Sequence, residues 1–173
     1  MDAALKPSIK DLFKQPRTFF FLIGIILFIM ASCGGSRVQC QKMLEIVNQG
    51  QNLIQAKQNQ YNATATQQLA QELKATAEQL QALKLSDRKL KAFQSQFIQV
   101  YNQLSQTLSE IGTTLKMGEQ APISFEGRKQ LLNAKQKLGT VGETARQTGE
   151  QVDILINDIT AYCPQMPNDE PPN

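Results

Sequence analysis

Few side chains in this 173-residue sequence could do chemistry, and three of them are cysteines. Cys33 directly follows an uncharged apolar run, whereas Cys40 and Cys163 lie at opposite ends of the remaining chain. The sequence contains no histidine, which removes the usual general base and the commonest metal ligand. Without histidine or a CxxC pair, a zinc site is not expected either. We therefore predict a protein that is not an enzyme and that holds no metal or cofactor.

The N-terminal segment combines a basic start with a short apolar run at residues 18–32. As a helix the run spans about 22 Å, less than the roughly 30 Å hydrocarbon core of a bilayer. This length is more typical of a signal peptide than of a membrane-spanning helix. A transmembrane anchor over residues 18–35, reaching about 27 Å, and an ordinary cleaved signal both stay open as alternatives. In each case the basic side remains in the cytoplasm and the chain after Cys33 lies outside it.

The end of the run, Met30-Ala31-Ser32-Cys33, resembles the lipobox of bacterial lipoproteins, in which an apolar residue and two small residues precede a cysteine. The resemblance implies that residues 1–32 are removed as a signal peptide. It also implies that Cys33 carries acyl chains such as palmitate and anchors the protein on the periplasmic side or at the outer membrane. The glutamine-rich segment that follows resembles helical envelope lipoproteins of cyanobacteria, and this likeness brings no functional residues with it.

Cys40 and Cys163 are the remaining pair of cysteines. Outside the cytoplasm, two such cysteines are more often a disulfide than two free thiols. We therefore predict a Cys40–Cys163 bond, with two half-buried thiols at helix ends as the alternative.

Apolar residues recur at helical spacing from Val38 onward, and 24 glutamines give the helices long, solvated faces. The clearest seam runs over residues 90–115, with apolar side chains three and four residues apart. The seam of the last helix begins at Leu131 and continues through Val152 and Ile159. We predict an all-α fold with a tether at 33–37, a helical bundle at 38–163 and a disordered tail at 164–173. The helix-start signals are Thr64 with Gln67 in a capping-box pattern, and Ser86 and Ser124 as N-caps.

The number of helices depends on whether residues 38–83 form one helix or two. A disulfide needs Cα atoms within about 7 Å of each other. Four antiparallel helices, with a break near Asn62, bring the two cysteines to the same end, whereas three long helices leave them far apart. We therefore predict an antiparallel four-helix bundle or coiled coil, with three long helices as the alternative.

The composition limits the classes of function that are possible but does not identify one. Residues 33–173 carry 14 basic and 13 acidic side chains, and the sequence shows no cluster of basic residues. We therefore predict that nucleic acid is not a partner, because binding its phosphates requires grouped lysines and arginines. We predict a structural or protein-interaction role in the bacterial envelope, with a protein partner or self-association. Alternatives are a ligand- or signal-binding module, if the glycines between Gly139 and Gly149 leave room in the core, and a coiled-coil adaptor or chaperone of an export complex. Ile98, Val100 and Ile156 could belong to a contact surface or to the core, and we favour the core.

Overall fold

The computed structural model describes residues 35–57, 60 and 62–165. The predicted signal peptide or anchor, the lipidation site Cys33 and residues 166–173 of the predicted tail lie outside these residues. None of the helices in the described ranges is long and apolar enough to cross a membrane.

Four antiparallel helices account for nearly all of the described chain. They are α1 (Ser36–Lys57), α2 (Ala63–Ala82), α3 (Arg88–Glu119) and α4 (Phe125–Tyr162), and a 3-10 turn at Cys163–Gln165 follows α4. The prediction of an all-α four-helix fold is confirmed, and the three-helix alternative is wrong because α1 and α2 are separate helices. The predicted tether is also too long, since Ser36 and Arg37 already belong to α1.

The helices begin at side chains that satisfy free backbone N–H groups. Asn62, Asp87 and Ser124 each accept a hydrogen bond from the N–H three residues further on, at 2.8, 2.7 and 3.1 Å. Ser124 is confirmed as a predicted N-cap. The helix starts predicted at Thr64 and Ser86 are wrong by two residues and by one residue, because the N-caps are Asn62 and Asp87. Ser86 makes a different contact: its N–H donates to Gln39 Oε1 of α1 at 2.7 Å.

The core lies along α3, which packs against α2 on one side and α4 on the other. The predicted seam of α3 is confirmed in its first half, where five side chains are buried: Leu90, Phe93, Phe97, Tyr101 and Leu104. Val100 is buried, and Ile98 and Ile156 pack against the same cluster. These three residues therefore belong to the core, as we favoured, and not to a contact surface. The seam of α4 differs from the prediction at Leu131, which is exposed.

Candidate functional site

One end of the bundle is closed by a covalent bond. Cys40 of α1 and Cys163, just after α4, form a disulfide with Cα atoms 5.9 Å apart across 123 residues of sequence. Cys40 is buried, and next to the bond the Tyr162 hydroxyl donates to Asp87 Oδ1 at 3.1 Å. We call residues 35–42, 83–91 and 159–165 the disulfide end. The bond joins the first and last helices, as the sequence predicted.

A buried tyrosine fastens α1 to α3 further along the bundle. The Tyr101 hydroxyl donates to the Val47 carbonyl oxygen at 3.0 Å, and burial raises the pKa of this phenol. Gly50 makes the approach possible, because a Cβ there would lie 2.7 Å from Tyr101 Oη and 3.2 Å from Thr76 Cγ2. The close contact leaves little free volume between these helices.

The buried hydroxyl groups of the interior donate to backbone carbonyls. Ser105 Oγ bonds the Ala70 carbonyl at 2.6 Å, whereas Thr76, Thr114 and Thr148 bond the carbonyl four residues earlier in their own helices. These hydroxyls are therefore satisfied within the protein. They do not form the polar cluster facing a cavity that a ligand site in the core would need.

The opposite end of α3 and α4 extends beyond the other helices. Gly112 lies beside the first residue of α2, since a Cβ there would be 3.1 Å from the Ala63 carbonyl oxygen. From Gly112, α3 continues for seven residues to Glu119, which is about 10 Å of helix. An ion pair between Lys137 and Glu110 at 2.8 Å joins the two helices below this extension. We call residues 117–132, where α3 turns into α4, the hairpin tip.

The hairpin tip carries most of the exposed apolar surface. Of the seven exposed large hydrophobic side chains in the described ranges, five belong to it: Met117, Ile123, Phe125, Leu131 and Leu132. Phe125 is 80% exposed, and Ile123 is fully exposed. Scattered apolar side chains are normal on a surface, but a cluster of this kind is typical of an interaction site.

The backbone of the hairpin tip is well braced. Ser124 N donates to the Pro122 carbonyl at 2.9 Å, and Gln130 Nε2 donates to the Met117 carbonyl at 3.1 Å. Gly127 is required here, because a Cβ at this position would overlap the Pro122 carbonyl oxygen. The apolar side chains are thus presented on an ordered turn, which lowers the entropic cost of binding a partner.

The acidic residues in the middle of α4 form ion pairs on the surface. Arg146 binds both Glu143 and Glu150, and the hydrogen bonds from Arg146 lower the pKa of the Glu143 carboxyl to about 2. All three side chains are exposed. A carboxylate held ionised in this way is unsuited to take up a proton near neutral pH, so Glu143 is a poor candidate for a general acid or base.

The hairpin tip is the feature that the sequence analysis missed. Its signal was present: Ile123 is an apolar residue in a connector, where polar residues are usual, and Phe125 directly follows the predicted N-cap Ser124. Within the described ranges, no group of three or more histidine, cysteine, aspartate or glutamate side chains could hold a metal ion. No family model, curated protein or solved structure matches this chain.

Proposed function

We propose that this protein is a membrane-anchored interaction protein of the bacterial envelope, which presents the α3–α4 hairpin tip to another protein outside the cytoplasm. The observation that carries the proposal is the exposed apolar cluster around Ile123 and Phe125 on a braced turn. In water, covering such side chains is worth roughly 25 cal/mol per Å² of apolar surface. A partner with an apolar groove would gain this free energy with little cost in ordering the tip.

The charges around the tip fit a protein partner. Lys116, Arg128 and Lys129 alternate with Glu119 and Glu126, so both signs border the apolar side chains. An apolar centre with a mixed polar rim is the usual arrangement of a protein–protein interface. An adaptor role in an export complex is a narrower form of the same proposal, and the extension of the hairpin beyond α2 supports it.

Anchoring is the part of the proposal that comes from the sequence. The intact mass of the full-length protein, extracted from bacterial membranes, tests it directly. A chain that begins at Cys33 with added acyl mass is expected. A mass that includes residues 1–32 would assign the apolar run to an uncleaved anchor, and a chain in the soluble fraction would refute anchoring altogether.

The role of the hairpin tip is tested by site-specific photocrosslinking in living cells of the bacterium from which the protein comes. A photoreactive phenylalanine analogue at Phe125 is compared with the same analogue at Ile154, an exposed apolar position on the middle of α4. We expect a discrete adduct from position 125 that Ile123→Asp abolishes, and none from position 154. An adduct with a second copy of this chain would identify self-association as the contact. Equal labelling from both positions, or none from position 125, would refute the proposal.

A further inference from the structure

We propose that the disulfide end is a lipid-facing surface that rests on the anionic headgroups of the membrane. Six of the 14 basic residues in the described ranges lie within this end: Arg37, Lys42, Lys84, Arg88, Lys89 and Lys91. Only one acidic residue, Asp87, lies within these ranges, and Asp158 borders them in a groove that Lys89 and Tyr162 also line. The rest of the described chain has eight basic and ten acidic residues. The disulfide end therefore carries a net charge of +5 and the rest of the described chain −2, so the balance of 14 basic and 13 acidic residues over 33–173 conceals a basic cluster.

Helix stability does not explain the position of these charges. Arg37, Arg88, Lys89 and Lys91 lie in the first turns of α1 and α3, where the helix dipole disfavours cations. The last turns of α2 and α4, at the same end, would favour cations and contain none. Arg88, Lys89 and Lys91 thus stand where they weaken α3 slightly, as expected for charges that serve an external anion.

The single carboxylate of this end is already engaged. Asp87 Oδ1 accepts the N–H of Leu90 as the N-cap of α3, and the carboxylate also accepts the Tyr162 hydroxyl. Lys89 Nζ lies 4.3 Å from the centroid of the Tyr162 ring. The remaining lysines and Arg88 are exposed, and no ion pair within the described ranges involves Lys42, Lys84, Arg88 or Lys91. Their positive charge is therefore available to an anionic surface.

The length of the connection to the anchor identifies the occupant as a membrane. The predicted lipid-bearing residue, Cys33, precedes the first residue of α1, Ser36, by three positions. Three residues span at most about 10 Å. The start of α1 would then lie within about a Debye length of the headgroups, where basic side chains attract anionic lipid. This step rests on the anchoring in the proposed function, not on the role of the hairpin tip.

Lysine acylation of the full-length protein tests the surface with an internal control. The protein is inserted into preformed vesicles of phosphatidylcholine, with or without phosphatidylglycerol, and flotation first confirms that it is anchored. An amine-reactive acylating agent is then applied briefly, and each lysine is quantified by mass spectrometry. The rates at Lys42, Lys84 and Lys91 are divided by those at Lys116, Lys129 and Lys135, which belong to or lie near the hairpin tip. The ratio cancels differences in orientation and vesicle yield.

We expect phosphatidylglycerol to lower this ratio several-fold, and high salt to restore it. The variant Lys84→Gln/Arg88→Gln/Lys91→Gln should lose the protection of Lys42, because each basic residue near an anionic membrane contributes roughly fivefold to association. The matched variant Lys116→Gln/Arg128→Gln/Lys129→Gln removes the same residue types at the other end and should keep the protection of Lys42, measured against the remaining reference lysine, Lys135.

Two results would overturn the inference. One is an equal ratio in both kinds of vesicle for a protein that floats with them, which would leave anchoring intact and reject only the lipid-facing surface. The other is the same protection by inorganic phosphate with phosphatidylcholine alone, which would assign the basic end to a free anion. A protein that fails to float would instead refute the anchoring on which the inference rests.

Discussion

The disulfide end and the hairpin tip are built from the same two long helices, α3 and α4, but they cover their apolar side chains differently. From the disulfide end to the middle of the bundle, α1 and α2 enclose the seam of α3, and Leu90 and Phe97 are fully buried. Of the helices that the structure describes, only α3 and α4 reach the hairpin tip, and Phe125 and Leu132 are exposed there. The same kind of helical pattern therefore gives a core where four helices meet and an exposed apolar surface where two do.

The comparison extends to charge. Basic residues concentrate at the disulfide end, whereas both signs border the apolar side chains of the tip. A surface with one sign of charge suits a lipid headgroup layer, and an apolar cluster with a mixed rim suits a protein. The two proposals accordingly place the membrane and the protein partner at opposite ends of the bundle.

Removal of the disulfide should have the largest effect and should act on one end only. We expect Cys40→Ala/Cys163→Ala to lower the free energy of unfolding by about 4–5 kcal/mol, because the bond closes a loop of more than 100 residues. Denaturation with and without reductant measures the change, and the double variant should not respond to reductant. Amide hydrogen exchange should rise most in α1, which packs chiefly on α2. An equal rise at the hairpin tip would contradict the division into two regions.

A pair of identical substitutions compares the two regions more directly. Phe97→Ala removes a side chain with no exposed surface and should cost about 3–5 kcal/mol of stability through the cavity that it leaves. Phe125→Ala removes an exposed ring and should change stability by less than about 0.5 kcal/mol. Chemical denaturation of both variants gives the difference. A cost at Phe125 close to that at Phe97 would mean that the tip is covered within the protein itself.

Alkaline pH should test the buried contact between α1 and α3. Burial raises the pKa of Tyr101 above its ordinary value of 10, so the unfolded chain loses this proton at a lower pH than the folded protein does. The stability that Tyr101 contributes is thus complete below pH 10 and falls as the pH rises further, by about 1.4 kcal/mol per pH unit. Tyr101→Phe should flatten the dependence in denaturation curves taken above pH 10. A slope unchanged in this variant would assign it to other groups, of which Tyr162 is the first to examine.

Much of the fold could be predicted because periodicity and chain length constrain it. The seam from Leu90 to Tyr101 follows directly from the spacing of apolar residues. A bond between Cys40 and Cys163 also favoured four helices over three, since only an even number of antiparallel helices returns the chain to its start, and the structure rules out the three-helix alternative. The helix starts at Asn62 and Asp87 were missed by one or two residues, because Ser, Thr, Asn and Asp are all good N-caps and the choice depends on tertiary contacts such as that of Ser86 with Gln39.

The hairpin tip could not be predicted from periodicity alone. Leu131 fits the same spacing as Val152 and Ile159, and was therefore expected inside. Spacing shows which face of a helix is apolar, but it does not show how far the neighbouring helices extend. Only the packing of Gly112 against the start of α2 reveals that nothing in α2 covers the last turns of α3.

The glycines of α4 provide the prediction with the smallest expected effect. Their sequence left open a site for a ligand in the core, and a Cβ at Gly139 or Gly149 would meet no atom within 4 Å. Close packing is therefore ruled out at these positions, and alanine should raise the free energy of unfolding by up to about 1 kcal/mol each through its better helix propensity. Gly50→Ala is the matched control, with the opposite sign expected, because its Cβ would press on the Tyr101 ring. Thermal or chemical denaturation of the three variants measures both signs, and a loss of stability at Gly139 or Gly149 would show that these glycines have a role that packing does not reveal.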